Sequence, residues 1–252
     1  MVFSLLADTV LRLVALAGVT AGGPPSIGGD PLPHEVWHHM AMPDETISYT
    51  LPEGMDAYLG DKPINSDGSF DAPSDPGTYE LSFRTSDGDE VWQVALFVLE
   101  PATEVDESGR LNGFRMGRYP ENTPRGYIRL DEGYGDVNVS PHFRIGQFLC
   151  HQQPDHWPKY LLVSSTNLQR LEILLDSLNE DGITDADTLF VMSGYRSPFY
   201  NTSIGSATLS RHWFSLTRTI SNLLKSSLSL TSLLILPAKI GYGIARSMCY
   251  LR

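Results

Sequence analysis

Only two cysteines occur in the 252 residues, no Asp or Glu follows Asp187, and no apolar run reaches the roughly 20 residues that a membrane-spanning helix requires. The longest late candidate, 223–236, is interrupted by Lys225 and five hydroxyl residues, so no transmembrane helix is expected. Cys150 and Cys249 stand 99 positions apart and predict free, buried thiols rather than a disulfide framework. The missing acids of the last quarter expose an asymmetry. Residues 1–190 hold 11 Lys and Arg against 30 Asp and Glu, a balance of -19, whereas residues 191–252 hold 7 against none, a balance of +7. An acidic body of this kind argues against nucleic acid as a partner.

What is present suggests two globular parts. The first 21 residues include Leu11 to Gly18 followed by Val19-Thr20-Ala21 and a Gly-Gly-Pro-Pro break, which reads as a signal peptide and predicts an exported protein, although Lys and Arg are missing from the first ten residues. Residues 22–45 read as a Gly/Pro-rich linker. Residues 46–100 predict a small immunoglobulin-like β domain, because Tyr79-Glu80-Leu81-Ser82-Phe83-Arg84 alternates with period two. Ser86-Asp87-Gly88-Asp89 then gives a hairpin turn, and Val91 to Leu99 supplies a return strand rich in β-branched and aromatic residues. The acidic, polar residues 101–113 read as a second linker.

From residue 114 the pattern changes to mixed helix and strand. Leu168, Leu171, Leu174, Leu175 and Leu178 recur at helical spacing after a Thr166/Gln169 capping pattern, predicting a helix from Asn167 to Asn179 with a core-facing leucine stripe. Thr188-Leu189-Phe190-Val191-Met192 predicts a short buried strand that delivers Ser193 to a loop.

Residues 190–201, ending in Ser193-Gly194-Tyr195-Arg196-Ser197-Pro198-Phe199-Tyr200-Asn201, together with Ile204-Gly205 and Ser210-Arg211-His212, resemble the zinc D-alanyl-D-alanine carboxypeptidases that cut peptidoglycan stem peptides. Upstream, Gly117-Arg118-Tyr119-Pro120, Ser140-Pro141-His142-Phe143, Gly146-Gln147-Phe148 and Pro158-Lys159-Tyr160-Leu161 are similar to members with an N-terminal β domain. The resemblance covers residues 114–212. It implies an α+β chain: a small β-sandwich-like domain, then a truncated hedgehog-like peptidase domain. It further implies a periplasmic or secreted location, a peptidoglycan stem peptide as partner and zinc as cofactor. Arg196 would grip the substrate carboxylate or carbonyl, since a guanidinium offers a planar fork of donors. His212 would be the first zinc ligand.

The family pattern then departs. It places an Asp seven residues after the His as second ligand, and this chain has Thr219 there; no later His follows as a third. A catalytic zinc site takes three protein ligands and an open position. The expected protein is therefore peptidase-like yet inactive as written, the alternative being a non-catalytic cell-wall or partner-binding pseudoenzyme. Residues 213–252 form an anomalous Ser/Leu-rich tail. A frameshift near Phe214 is the preferred source of that tail, because one spelling of residues 215–219 gives Val-Asp-Ala-Asp in another frame; a true pseudoenzyme or a functional tail are the others. A separate metal reading comes from His34-Glu35-Val36-Trp37-His38, which fits the His-Glu-x-x-His pattern if helical, with His39 adjoining.

Overall fold

The computed structural model describes residues 23–64, 67–119 and 121–206. His212, Cys249, the signal-peptide segment and the tail after residue 212 lie outside the described residues. The chain is α+β, dominated by strands. Contacts divide it into two compact units, with the boundary between Val98 and Leu99. Among the described residues no helix is long and apolar enough to cross a membrane.

Among the described residues the first unit contains nine strands: β1 (Ser26–Ile27), β2 (Asp30–Pro31), β3 (Val36–Ala41), β4 (Thr46–Thr50), β5 (Met55–Leu59), β6 (Lys62–Pro63), β7 (Ser69–Asp71), β8 (Gly77–Thr85) and β9 (Glu90–Val98). One sheet runs β2-β1-β4-β7 and the other β3-β9-β8-β5-β6. All pairings are antiparallel except that of β3 with β9. This order is that of an immunoglobulin-like sandwich. Tyr79, near the start of β8, donates its hydroxyl to the Asp75 carbonyl at 2.9 Å, the tyrosine corner of such sandwiches. The alternation read in β8 buries Leu81 and Phe83 completely, and the Phe83 ring stacks on Tyr49 of β4 at 6.3 Å, joining the two sheets.

Residues 22–45 are not a linker. Three strands form there, because Ile27, Trp37 and Ala41 are apolar enough to be buried and the backbone of β3 finds a full parallel ladder along β9. The same ladder removes the helical metal reading of His34 and His38. His34 sits in a bend and His38 in β3, so no helical turn sets the two imidazoles on one face; Trp37 packs its ring against both, and His38 is buried. His39 lies against Gly28, and its burial lowers the imidazole pKa.

The second unit holds β10 (Glu100–Pro101), β11 (Arg110–Leu111), β12 (Phe114–Arg115), β13 (Gly126–Leu130) and β14 (Lys159–Leu161), with helices α1 (Ser165–Glu180) and α2 (Pro198–Ser203). Strands β10-β13-β14 make an antiparallel sheet and β11-β12 a hairpin. Residues 101–113, expected to be a linker, belong to this unit. Asp106 accepts hydrogen bonds from the Arg110 backbone and the Ser108 hydroxyl, Asn112 donates to the Tyr160 hydroxyl at 2.6 Å, and Leu111 and Phe114 are buried. Local side-chain acceptors thus order a polar stretch that composition alone marks as loose. Helix α1 starts two residues earlier than expected, because Ser164 rather than Thr166 caps it by accepting from the Asn167 amide. Leu168, Leu171, Leu175 and Leu178 are buried as the spacing requires. The strand expected over 188–192 does not form. Leu189 is buried but Phe190 is 53% exposed, and no neighbouring strand pairs with the segment among the described residues.

Candidate functional site

The Ser193–Asn201 segment is held as a sharp, rigid turn by contacts that each require the residue found there. An added Cβ on Gly194 would overlap the Phe148 backbone, and the Tyr195 amide donates to the Phe148 carbonyl at 2.9 Å. Pro198 occupies the first turn of α2, where its missing N–H costs nothing. Ser197 caps that helix by accepting from the Tyr200 amide at 3.1 Å. Its hydroxyl proton points to Gln152 Oε1 at 2.9 Å, with the Arg115 carbonyl at 3.2 Å as the second acceptor. Gln152 Nε2 in turn donates to the Arg115 carbonyl at 2.8 Å, so Ser197 and Gln152, both buried, clamp α2 to β12. The Phe199 amide donates to the Met116 carbonyl at 3.0 Å, and Gly117 makes the approach feasible. A Cβ on Gly117 would stand 2.6 Å from that amide nitrogen, at a φ of +75°.

Arg196 emerges from this frame partly buried, with Nε donating to Ser193 Oγ at 2.6 Å. That bond fixes the plane of the guanidinium, and a fixed planar fork is the geometry that receives a carboxylate. The preceding residue, Tyr195, is buried, its phenol 2.9 Å from the Tyr119 hydroxyl; burial first, and the neighbouring phenol next, push its pKa well up, so it stays protonated. Cys150 is a buried thiol near Arg196 and Lys159. Burial raises its pKa more than the two cations lower it, so it is a neutral thiol rather than a nucleophile.

The three described imidazoles of this unit are each engaged separately. His151 Nε2 lies 3.0 Å from the Met192 carbonyl, His156 Nε2 lies 3.1 Å from the Asn112 carbonyl, and His142 Nδ1 lies 2.6 Å from Glu172. Among the described residues no three His, Cys, Asp or Glu side chains come together as a metal site. The motif itself supplies His212 and, at the second ligand position, the neutral hydroxyl of Thr219. One imidazole and a hydroxyl are not the donor set of a peptidase zinc, which takes imidazole, thiolate or carboxylate ligands. His212 is a ligand of the expected kind and Thr219 is not; both lie outside the described residues.

Sequence reasoning singled out Arg196 and placed Ser193 and Ser197 in its motif without giving them a role, and it did not single out Gln152; these three side chains orient and anchor the turn. The Cys150-His151-Gln152-Gln153 run offers no periodic or spaced signal. Its significance arises from the fold, which sets Gln152 against Ser197 across 45 positions. Set beside known proteins, the chain matches no family model, no curated protein and no solved structure.

Proposed function

We propose that the second unit recognises the D-alanyl-D-alanine end of a peptidoglycan stem peptide through Arg196, as a carboxypeptidase-like binding protein of the bacterial cell envelope that does not hydrolyse the bond. One observation carries the reading. The Arg196 guanidinium is oriented by Ser193 on a turn whose glycine, proline and cap residues leave it little freedom. Preorganisation of this kind lowers the entropic cost of gripping a terminal carboxylate. The Ser-Gly-Tyr-Arg-Ser-Pro residues resemble those with which the zinc D-alanyl-D-alanine carboxypeptidases bind substrate. Thr219, in place of their ligand Asp, favours binding without turnover.

The test is calorimetric titration with an N-acylated peptide ending in D-Ala-D-Ala, alongside metal analysis and a hydrolysis assay. Saturable binding is expected, weakened about tenfold or more by Arg196→Lys, which keeps the charge and loses the fork. Amidation of the peptide carboxylate is expected to weaken it similarly. Stoichiometric zinc with turnover would overturn the non-hydrolytic reading. Absence of binding, or binding indifferent to Arg196→Lys, would overturn recognition.

A further inference from the structure

Ser193, whose hydroxyl aims Arg196, belongs to a stretch without regular structure, since residues 183–197 form neither strand nor helix. No ladder among the described residues therefore fixes the backbone that carries this hydroxyl. One run of chain, residues 147–152, holds the stretch instead. Gln147 Nε2 donates to the Leu189 carbonyl at 3.3 Å, the Phe148 carbonyl accepts from the Tyr195 amide at 2.9 Å, and Gln152 Oε1 accepts from the Ser197 hydroxyl at 2.9 Å.

His151 supplies the bond that falls next to Ser193 in the chain. Its Nε2 lies 3.0 Å from the Met192 carbonyl. A carbonyl only accepts, so Nε2 carries a proton and donates. The Met192 carbonyl belongs to the peptide plane joining Met192 to Ser193, and the Tyr195 amide to the plane joining Gly194 to Tyr195. With both planes tied to the 147–152 run, only the dihedrals of Ser193 and Gly194 lie between them. Gly194 is itself pressed on the Phe148 backbone, which an added Cβ would overlap. The imidazole is exposed, yet its neighbours Cys150 and Gln152 are 4% and 6% exposed, so the ring is rooted in fixed backbone while contributing nothing to the core.

We propose that His151 is a positioning residue for the Arg196 fork: by donating to the Met192 carbonyl it sets the Ser193 hydroxyl that orients the guanidinium. Its benefit to ligand binding rests on the stem-peptide reading above; the ordering of Arg196 does not. Imidazole suits the task because Nε2 stands far enough from its own backbone to reach a neighbouring segment. Glutamine carries an N–H donor at a similar remove, whereas phenylalanine keeps a ring and lacks the donor.

The experiment follows the Arg196 Nε–H signal by nuclear magnetic resonance in the isotopically labelled full chain, the signal being assigned by its loss in Arg196→Lys. Exchange of that proton with solvent is expected to be slow, about fivefold faster in His151→Phe and slow again in His151→Gln. Ser193→Ala gives the limit in which the acceptor is gone. Unchanged thermal unfolding of the His151 variants verifies that the core is intact. Exchange indifferent to His151→Phe, or raised equally by His151→Gln, overturns the inference.

Calorimetry with the N-acylated D-Ala-D-Ala peptide reads the consequence for binding. Affinity is expected to fall about fivefold in His151→Phe, to recover in His151→Gln, and to fall no further on the same change once Arg196 is replaced by Lys. An equal fall in the Arg196→Lys background overturns action through the fork. Exchange that follows His151 in a protein that binds no peptide sustains the positioning of Arg196 and refutes the stem-peptide reading. Peptide binding with both affinity and exchange indifferent to His151 sustains that reading and refutes the role of His151.

Discussion

Replacing Ser197 with Ala removes the acceptor that caps α2 and the donor that satisfies Gln152 Oε1. The cap is worth about 1 kcal/mol. Leaving the amide oxygen of buried Gln152 unpaired costs about 1–3 kcal/mol more, whereas the Arg115 carbonyl keeps its bond from Gln152 Nε2. The expected loss is therefore about 2–4 kcal/mol. At a urea dependence of about 2 kcal/mol per molar, the midpoint of this unit falls by about 1–2 M. Hydrogen exchange of residues 148–153 and 195–201 during the urea series assigns the loss to this unit rather than to the β sandwich. A double-mutant cycle with Gln152→Ala isolates the shared bond, and a coupling of about 0.5–3 kcal/mol is expected. Ser203, whose exposed hydroxyl bonds only the Tyr200 carbonyl, serves as the control, its change to Ala costing less than about 0.5 kcal/mol. A loss for Ser197→Ala as small as that of Ser203→Ala, or strict additivity with Gln152→Ala, refutes the clamp.

Gly117→Ala is expected to destabilise the unit by more than about 2 kcal/mol, through a left-handed backbone and overlap with the Phe199 amide, and to weaken peptide binding by displacing the turn; denaturant titration and calorimetry read the two effects. Tyr79→Phe removes the tyrosine-corner bond and should lower the sandwich's stability by about 1 kcal/mol without altering peptide binding. Glu100 is held above the usual carboxylate range, chiefly by burial against a partial pull from Arg129, and its Oε2 has no hydrogen-bond partner among the described residues. A raised folded pKa gives stability that is full below the unfolded value and is lost as pH rises through the folded one. Glu100→Gln should therefore flatten the fall in stability between about pH 4 and neutrality, and an unchanged pH profile would refute this.

The features legible in the sequence were those with a period. Leu81 and Phe83 in β8, the apolar run of β9 and the leucines of α1 each announce a buried face through spacing alone. Strand β3 was not legible, because Val36-Trp37-His38-His39-Met40-Ala41 alternates poorly and follows Pro31 and Pro33; its parallel partner, more than 50 residues later, decides the outcome. Conversely, Thr188 to Met192 has a strand's composition but no paired neighbour among the described residues, and β propensity without a ladder does not make a strand. Arg196 stood out through its flanks. Ser197 was in the same motif, but its bond to Gln152 was not legible, since a buried hydrogen bond between distant polar residues leaves no local trace.

The neutral thiol of Cys150 gives the site a clock. It is 4% exposed, and burial keeps it from the reactive thiolate form, so a thiol reagent reaches it only when the structure around it opens. The rate of labelling at Cys150, assigned by peptide mass against Cys249, then reports how often the Arg196 platform opens in the folded protein. A ligand gripped by Arg196 should slow that clock by the factor through which it favours the closed form, making occupancy readable from chemistry at a residue that need not touch the ligand.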